Sequence, residues 1–172
     1  SMLSADHSVS PARTRPVDMV LAMNFSYWLF KERTALRDYF RAARAALVRD
    51  GILFLDAFGG YEASRVLRER TRYRGYTYCW RQAAFDPVSG DLECHIDFEF
   101  DDGSRLKPAF SYYWRLWTLP EIRELLAEAG FADTRVYWQT WDEKTGEPGE
   151  EFRPVERGEP DAGWLCYVVA LR

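Results

Sequence analysis

The sequence predicts an α/β fold in which a mainly parallel sheet carries an inserted antiparallel sheet, and three observations lead to this prediction. Short apolar runs at residues 17–23 and 52–58 are typical of strands buried on both faces. An amphipathic segment at 34–50 lies between them, which completes a β-α-β unit with a right-handed crossover. Farther along, turn-forming segments separate three runs of strand-favouring residues, and this spacing predicts an antiparallel meander.

Composition narrows the class of protein before any motif is considered. The chain has 172 residues, enough for one domain with its own core, and a net charge of −4, which disfavours nucleic acid as a partner. No apolar run approaches the roughly 20 residues of a membrane span. The odd set Cys79, Cys94 and Cys166 offers no disulfide framework and fits a reducing cytoplasm. With two histidines in the chain, we expect no metal site.

The segment at 34–50 has the signals of a complete helix. Thr34 is the predicted N-cap, and Gly51 stands where a left-handed residue ends a helix. The apolar stripe consists of Leu36, Phe40, Ala43 and Leu47. A second helix, strongly basic, is predicted at 62–72, where an arginine run forms a solvated face or steers an anionic substrate.

The predicted meander has strands at 76–85, 92–100 and 109–117. In its middle strand, alternation places Cys94 and Ile96 on an apolar face and His95 and Asp97 on a polar face. The meander is also rich in rings, namely Tyr76, Tyr78, Trp80, Tyr112, Tyr113, Trp114 and Trp117. These rings are typical of a pocket for a flat or cationic molecule, and equally of a dimer interface or a plain core.

After the meander the main sheet resumes. Thr118 and Glu121 form a capping box at the start of a helix that ends at Gly130. A strand is predicted at 134–141, a loop rich in Glu, Pro and Gly at 142–163, and a last strand at 164–171.

The order of these parts resembles class I S-adenosylmethionine-dependent methyltransferases. Residues 17–22 resemble the family's "fDlVla" fourth strand, and residues 47–56 its "Lk-pGG-l-l-d" fifth strand. Residues 119–131 resemble its "t-eel-ell-eaGF" helix, and 168–172 its seventh strand. The resemblance implies one domain over residues 1–172, a partial Rossmann-like sheet with strand order 4-5-7-6, and an insertion at 74–117 that roofs the active site.

The departure from the family is the glycine-rich turn "D-G-x-G-x-G" that approaches the cofactor. No glycine precedes Gly51, and no acidic residue matches the one that binds the cofactor's ribose, so the sequence resembles the C-terminal half of the fold. Strand four is then an exposed apolar edge, which we expect a second copy, a complementing N-terminal half or a folded-back N-terminal segment to cover. The alternative to an enzyme is a non-catalytic half or a dimeric binding module.

The resemblance also implies a set of site residues around S-adenosylmethionine. Asn24 and Tyr27 follow strand four, where open α/β sheets bind ligands, and are the predicted catalytic pair. Asp56 joins them as a general base or substrate anchor, or it caps a turn. The predicted cofactor contacts are Met23, Asn24 and Phe25 at this strand end and Asp6 and His7 at the adenine.

The acceptor is expected to be a small molecule methylated on nitrogen or oxygen. Tyr113 and Arg115 are the predicted substrate contacts, the arginine as a partner for a substrate carboxylate. No Ser/His/Asp or Cys/His nucleophile set is evident, which agrees with direct transfer to an amine that reaches the site neutral.

Overall fold

The computed structural model describes residues 15–142 and 148–172, which form two sheets and two α-helices. The strands of the main sheet are β1 (Val17–Ala22), β2 (Leu47–Gly59), β7 (Asp133–Trp141), β8 (Pro148–Val155) and β9 (Trp164–Leu171). The antiparallel sheet comprises β3 (Leu67–Tyr73), β4 (Tyr76–Phe85), β5 (Asp91–Phe100) and β6 (Arg105–Arg115). The helices are α1 (Arg33–Ala46) and α2 (Leu119–Glu128), with a 3-10 turn at Ser26–Leu29.

The main sheet has the strand order β1-β2-β9-β7-β8. Strand β1 pairs with β2 in parallel, while β9 runs antiparallel between β2 and β7. The first four strands are therefore the predicted contiguous half 4-5-7-6, and the prediction of a partial Rossmann-like sheet is confirmed. Strand β8 extends the sheet beyond β7.

The two helices pack against each other and cover one face of this sheet. Alternate residues of β2, namely Leu53, Leu55 and Ala57, are fully buried in the core beneath them. The opposite face is open at its β1 side, where Met19 is 49% and Leu21 60% exposed. Strand β1 is thus an apolar edge with one covered face, as its position in the sheet order implies.

The predicted basic helix at 62–72 is wrong, because residues 67–73 form β3. The arginines at 68, 70, 72 and 74 recur every second residue, which is the period of a strand. Their ion pairs favour a strand over a helix, since Arg68 and Arg70 both reach Glu99 of β5 across the sheet. The antiparallel sheet therefore has a fourth strand beside the three predicted.

The predicted loop at 142–163 is also wrong in part, because its middle contains β8. Phe152 packs its ring on Tyr167 of β9 with centroids 4.2 Å apart, and this contact favours the strand over a solvated loop. Prolines at both ends of this strand agree with its place at the edge of the sheet.

The end of α1 differs from the prediction. The helix begins after Glu32 rather than Thr34, and β2 starts at Leu47, well before the predicted strand. The left-handed residue is Asp50, with φ of 63°, whereas Gly51 is needed for close approach, since a Cβ there would lie 2.9 Å from the carbonyl oxygen of Val48. By contrast, α2 has the predicted capping box of Thr118 and Glu121, and Gly130 ends it with φ of 95°.

The middle strand β5 was predicted to have one apolar and one polar face, and its polar face is more buried than this predicts. Asp97 on the polar face is 1% exposed and pairs with Arg81, whose side chain lies over it. His95 is 7% exposed, with Nδ1 at 2.8 Å from the Ser111 hydroxyl. The polar face is therefore closed by its own hydrogen bonds.

Neither helix in the described parts of the chain is long and apolar enough to cross a membrane.

Candidate functional site

A cavity of about 360 Å³ lies where the carboxyl ends of β1 and β2 meet the antiparallel sheet. Its aromatic walls are Phe25, Phe58, Tyr78, Trp80 and Trp164. A larger hollow of about 580 Å³ lies against α2, β7 and β8, and no residue of β1 or β2 lines it. We take the smaller cavity as the candidate site, because open α/β sheets bind ligands at the carboxyl ends of their parallel strands.

The turn after β1 is held in place by Asp56 at the end of β2. Its carboxylate accepts hydrogen bonds from the backbone N–H of Asn24 at 2.7 Å and of Phe25 at 2.9 Å. Both turn residues have left-handed backbones, with φ of 57° and 54°, a conformation that is unfavourable for residues other than glycine. The carboxylate offsets this strain and so fixes one wall of the cavity.

An aromatic cluster joins this turn to the antiparallel sheet. Phe25 meets Phe58 edge-on at 4.7 Å, and Trp28 lies 4.7 Å from the same ring. Trp114 of β6 approaches Phe25 to 5.9 Å and Trp28 to 6.0 Å, which connects the two sheets directly behind the cavity.

Tyr27 and Asn24 occupy opposite environments. Tyr27 is 1% exposed, its hydroxyl donates to the backbone carbonyl of Asp56 at 2.9 Å, and it does not line the cavity. Burial raises the pKa of Tyr27, so its phenol stays neutral in the core. Asn24 is exposed at the tip of the turn and Met23 is half-buried beside it.

The two predicted substrate contacts lie away from this cavity. Tyr113 is 56% exposed on the polar face of β6, beside His95. Arg115 stacks on Trp117 at 3.8 Å and donates to the carbonyl of Lys31 and to the carboxylate of Glu121. Its donors are thus engaged within the chain.

The remaining predicted residues, Asp6 and His7, lie outside the described residues. Within residues 15–142 and 148–172, no group of three or more His, Cys, Asp or Glu side chains is arranged to hold a metal ion.

Sequence reasoning identified Tyr78 and Trp80 as ring candidates but missed Phe58, Glu69 and Trp164. The two-residue arginine period was the signal for Glu69, because it predicts that Glu69 faces opposite to its basic neighbours. Trp164 is brought next to Phe58 only by the β2–β9 register, in which Trp164 pairs with Gly59 and Phe58 with Leu165, and no local pattern predicts that register.

The environment of Asp56 leads to a prediction about pH. Burial raises the pKa of this carboxyl above 3.8, and the N–H donors of Phe25 and Asn24 offset that only in part. A pKa raised on folding contributes stability below the unfolded pKa, and that contribution is lost as pH rises through the folded pKa. We therefore expect the free energy of unfolding of the wild type, relative to Asp56→Asn, to fall as pH rises from the unfolded pKa of the Asp56 carboxyl through its folded pKa. Urea unfolding of both proteins at several pH values measures the two free energies of unfolding. A wild-type stability that rises with pH relative to Asp56→Asn would show that the N–H donors outweigh burial.

The sequence matches no protein-family model and no curated protein. The structure is similar to solved methyltransferases. CcbJ from Streptomyces caelestis aligns with a TM-score of 0.61 at 15% identity, over 92% of this chain and 62% of that one. An S-adenosylmethionine-dependent methyltransferase from Clostridium acetobutylicum aligns at 0.58 and 18%, over 91% and 59%. The amino pentose methyltransferase CalS10 from Micromonospora echinaspora, solved with S-adenosylmethionine, aligns at 0.56 and 17%, over 92% and 59%.

These likenesses establish the fold: the chain has the architecture of class I S-adenosylmethionine-dependent methyltransferases. It spans about three fifths of the length of the structures it matches. The described residues include no glycine-rich turn of the kind through which a backbone approaches the cofactor closely in that family.

Proposed function

We propose that this chain is the acceptor-binding part of an S-adenosylmethionine-dependent methyltransferase whose acceptor is a small molecule. The observation that carries the proposal is the ring-walled cavity at the carboxyl ends of β1 and β2, in a fold shared with small-molecule methyltransferases. Its volume lies near the lower end of the range for small-ligand sites, about 300–1,000 Å³. The cofactor supplies the activated methyl group when bound, and this chain positions the acceptor.

The residues of the chain divide this task between them. Asp56 holds the turn that carries Asn24 and Phe25, so it acts as a positioning residue for whatever meets the end of β1. Asn24 presents an exposed amide at that end, where it can hydrogen-bond an acceptor or the amino-acid part of the cofactor. The rings exclude water from the space behind the turn.

The exposed edge of β1 needs a cover in the complete assembly. Among the described strands, β1 pairs only with β2, and the open face beside this edge carries Val17, Met19 and Leu21 at 42%, 49% and 60% exposure. An apolar strand edge of this kind is prone to pair with another chain. A complementing N-terminal half or a second copy is the proposed cover, and the complementing half would bring the cofactor-gripping residues that the described part lacks.

The test combines three measurements on the same preparations. Light scattering gives the mass, hydrogen exchange reports whether the amides of β1 are protected, and calorimetry measures binding of S-adenosylhomocysteine. We expect preparations in which β1 is protected to bind S-adenosylhomocysteine at micromolar strength, and a monomer with an unprotected β1 not to bind it.

One outcome would favour the second candidate function, a non-catalytic binding module. A stable dimer or complex with β1 protected that does not bind S-adenosylhomocysteine would contradict the methyltransferase proposal. The same ring-walled cavity would then be a binding site without a cofactor partner.

A further inference from the structure

The strand β3 separates its charges between two faces. Arg68 and Arg70 point to the outer face of the antiparallel sheet, where Glu99 accepts from both. Leu67 and Glu69 alternate with them and line the cavity. The cations next to Glu69 in sequence are therefore committed elsewhere, and they leave its carboxylate free of a partner among the described residues.

The charged groups that line the cavity are Glu62 and Glu69, with no Lys, Arg or His among its described walls. Glu62 shares its carboxylate with Arg65 at 2.9 Å, so it is partly neutralised. Glu69 has no such ion pair among the described residues, so its carboxylate is the uncompensated negative charge of the cavity.

The buried polar group of the cavity, Gln82, is also set up as an acceptor. It is 4% exposed, and its Nε2 donates to the carbonyls of Glu62 at 3.0 Å and Arg65 at 2.7 Å. Its Oε1 meets Trp80 Nε1 at 3.5 Å, at the limit of a hydrogen bond, so it retains capacity to accept another. A ligand that donates hydrogen bonds fits this arrangement.

The walls favour positive charge as well. Five rings surround the space, and the face of an aromatic ring attracts a cation through its quadrupole. Burial raises the pKa of Tyr78, so its side chain lines the cavity as a neutral phenol and not as a further anion.

We propose that the cavity binds an organic cation, a small amine in its ammonium form, with Glu69 as its counter-ion and Gln82 as a second acceptor. That this amine is the methyl acceptor rests on the proposed function, and its binding does not. As the acceptor it must first lose one N–H proton to solvent, because an ammonium nitrogen has no lone pair with which to attack the methyl group. Glu69 is then the residue that selects amines over alcohols and acids.

Three probes of similar shape and different charge test the proposal: benzylammonium, benzyl alcohol and benzoate. Binding is followed through the indole N–H resonances of Trp80 and Trp164 in nuclear magnetic resonance titrations. We expect benzylammonium to bind about two- to fivefold more tightly than benzyl alcohol, the size of a partly exposed ion pair, and benzoate to bind most weakly.

Variants at Glu69 assign the charge to its residue. Glu69→Gln should reduce the preference for benzylammonium over benzyl alcohol to what the rings and Glu62 supply, and Glu69→Lys should reverse the order in favour of benzoate. Glu124→Gln, an exposed position on α2, is the matched control and should leave the order unchanged. Equal binding of benzyl alcohol and benzylammonium to the wild type, an undiminished preference for benzylammonium in Glu69→Gln, or no saturable shift with any probe would overturn the proposal.

These outcomes are separable from the fate of the proposed function. Selectivity for the cation without binding of S-adenosylhomocysteine by the covered form would leave an amine-binding site and remove the methyltransferase. Binding of S-adenosylhomocysteine without that selectivity would do the opposite.

Discussion

Replacement of Trp28 by alanine should lower the free energy of unfolding by about 3–5 kcal/mol, the usual cost of removing a fully buried large ring. Trp28 is 0% exposed and lies against Phe58 on the main sheet and Trp114 on the antiparallel sheet. Its removal leaves a void where the two sheets meet, which the rigid strands on both sides cannot close. Urea unfolding followed by circular dichroism measures the loss.

Trp141→Ala is the matched control, because it removes the same side chain from a site that is 45% exposed. Its expected cost is about 1 kcal/mol or less, since little packed volume is lost. Equal losses for the two variants would show that the junction of the sheets does not carry the stability that its burial implies. Trp28→Ala should in addition weaken binding in the cavity, whose Phe25 and Phe58 walls rest on this ring.

Replacement of Asp56 by alanine should cost about 2–4 kcal/mol, because it leaves two backbone N–H groups without their charged acceptor. The same change releases two residues from left-handed backbones, so the turn after β1 should relax and ligand binding in the cavity should be lost. Equilibrium unfolding and titration with benzylammonium measure the two effects.

Two further variants separate hydrogen bonding from strain. Asp56→Asn keeps one acceptor oxygen on a group of the same shape and should lose less stability than Asp56→Ala. Asn24→Gly placed in the Asp56→Ala background should recover part of the loss, because glycine adopts positive φ without strain. Asp18→Ala, an exposed change on β1, should stay within about 0.5 kcal/mol of the wild type. A loss of the same size in Asp18→Ala would contradict a specific role for Asp56.

Local patterns were sufficient for the parts of the fold that depend on neighbours in sequence. The capping box of Thr118 and Glu121 gave the start of α2, and Gly130 gave its end. The apolar runs around α1 predicted the parallel pair β1 and β2, and the half-sheet was predicted by the family resemblance of the element order. These signals are strong because caps, helical stripes and buried strands need only residues within one or two turns of chain.

The candidate site depended on contacts that sequence distance conceals. Asp56 was predicted as a base or a cap, and only the pairing of β1 with β2 places its carboxylate on the N–H groups of Asn24 and Phe25, about thirty residues away. Tyr27 was predicted beside the reacting atoms, but the 3-10 turn directs its ring into the core. A side chain's direction at a strand end is set by the turn, and that turn is set by a partner from another strand.

The sequence by itself determined the type and order of most elements, because apolar, helical and capping signals are local, and the resemblance of that order to class I methyltransferases implied the strand order. Only the tertiary structure decided which residues form the cavity. Tyr113 and Glu69 are both exposed residues of the antiparallel sheet, yet the register of β6 turns the first away from the cavity while β3 turns the second toward it. The face on which a strand residue lies changes with a shift of one position, and that register is set by packing of the whole sheet.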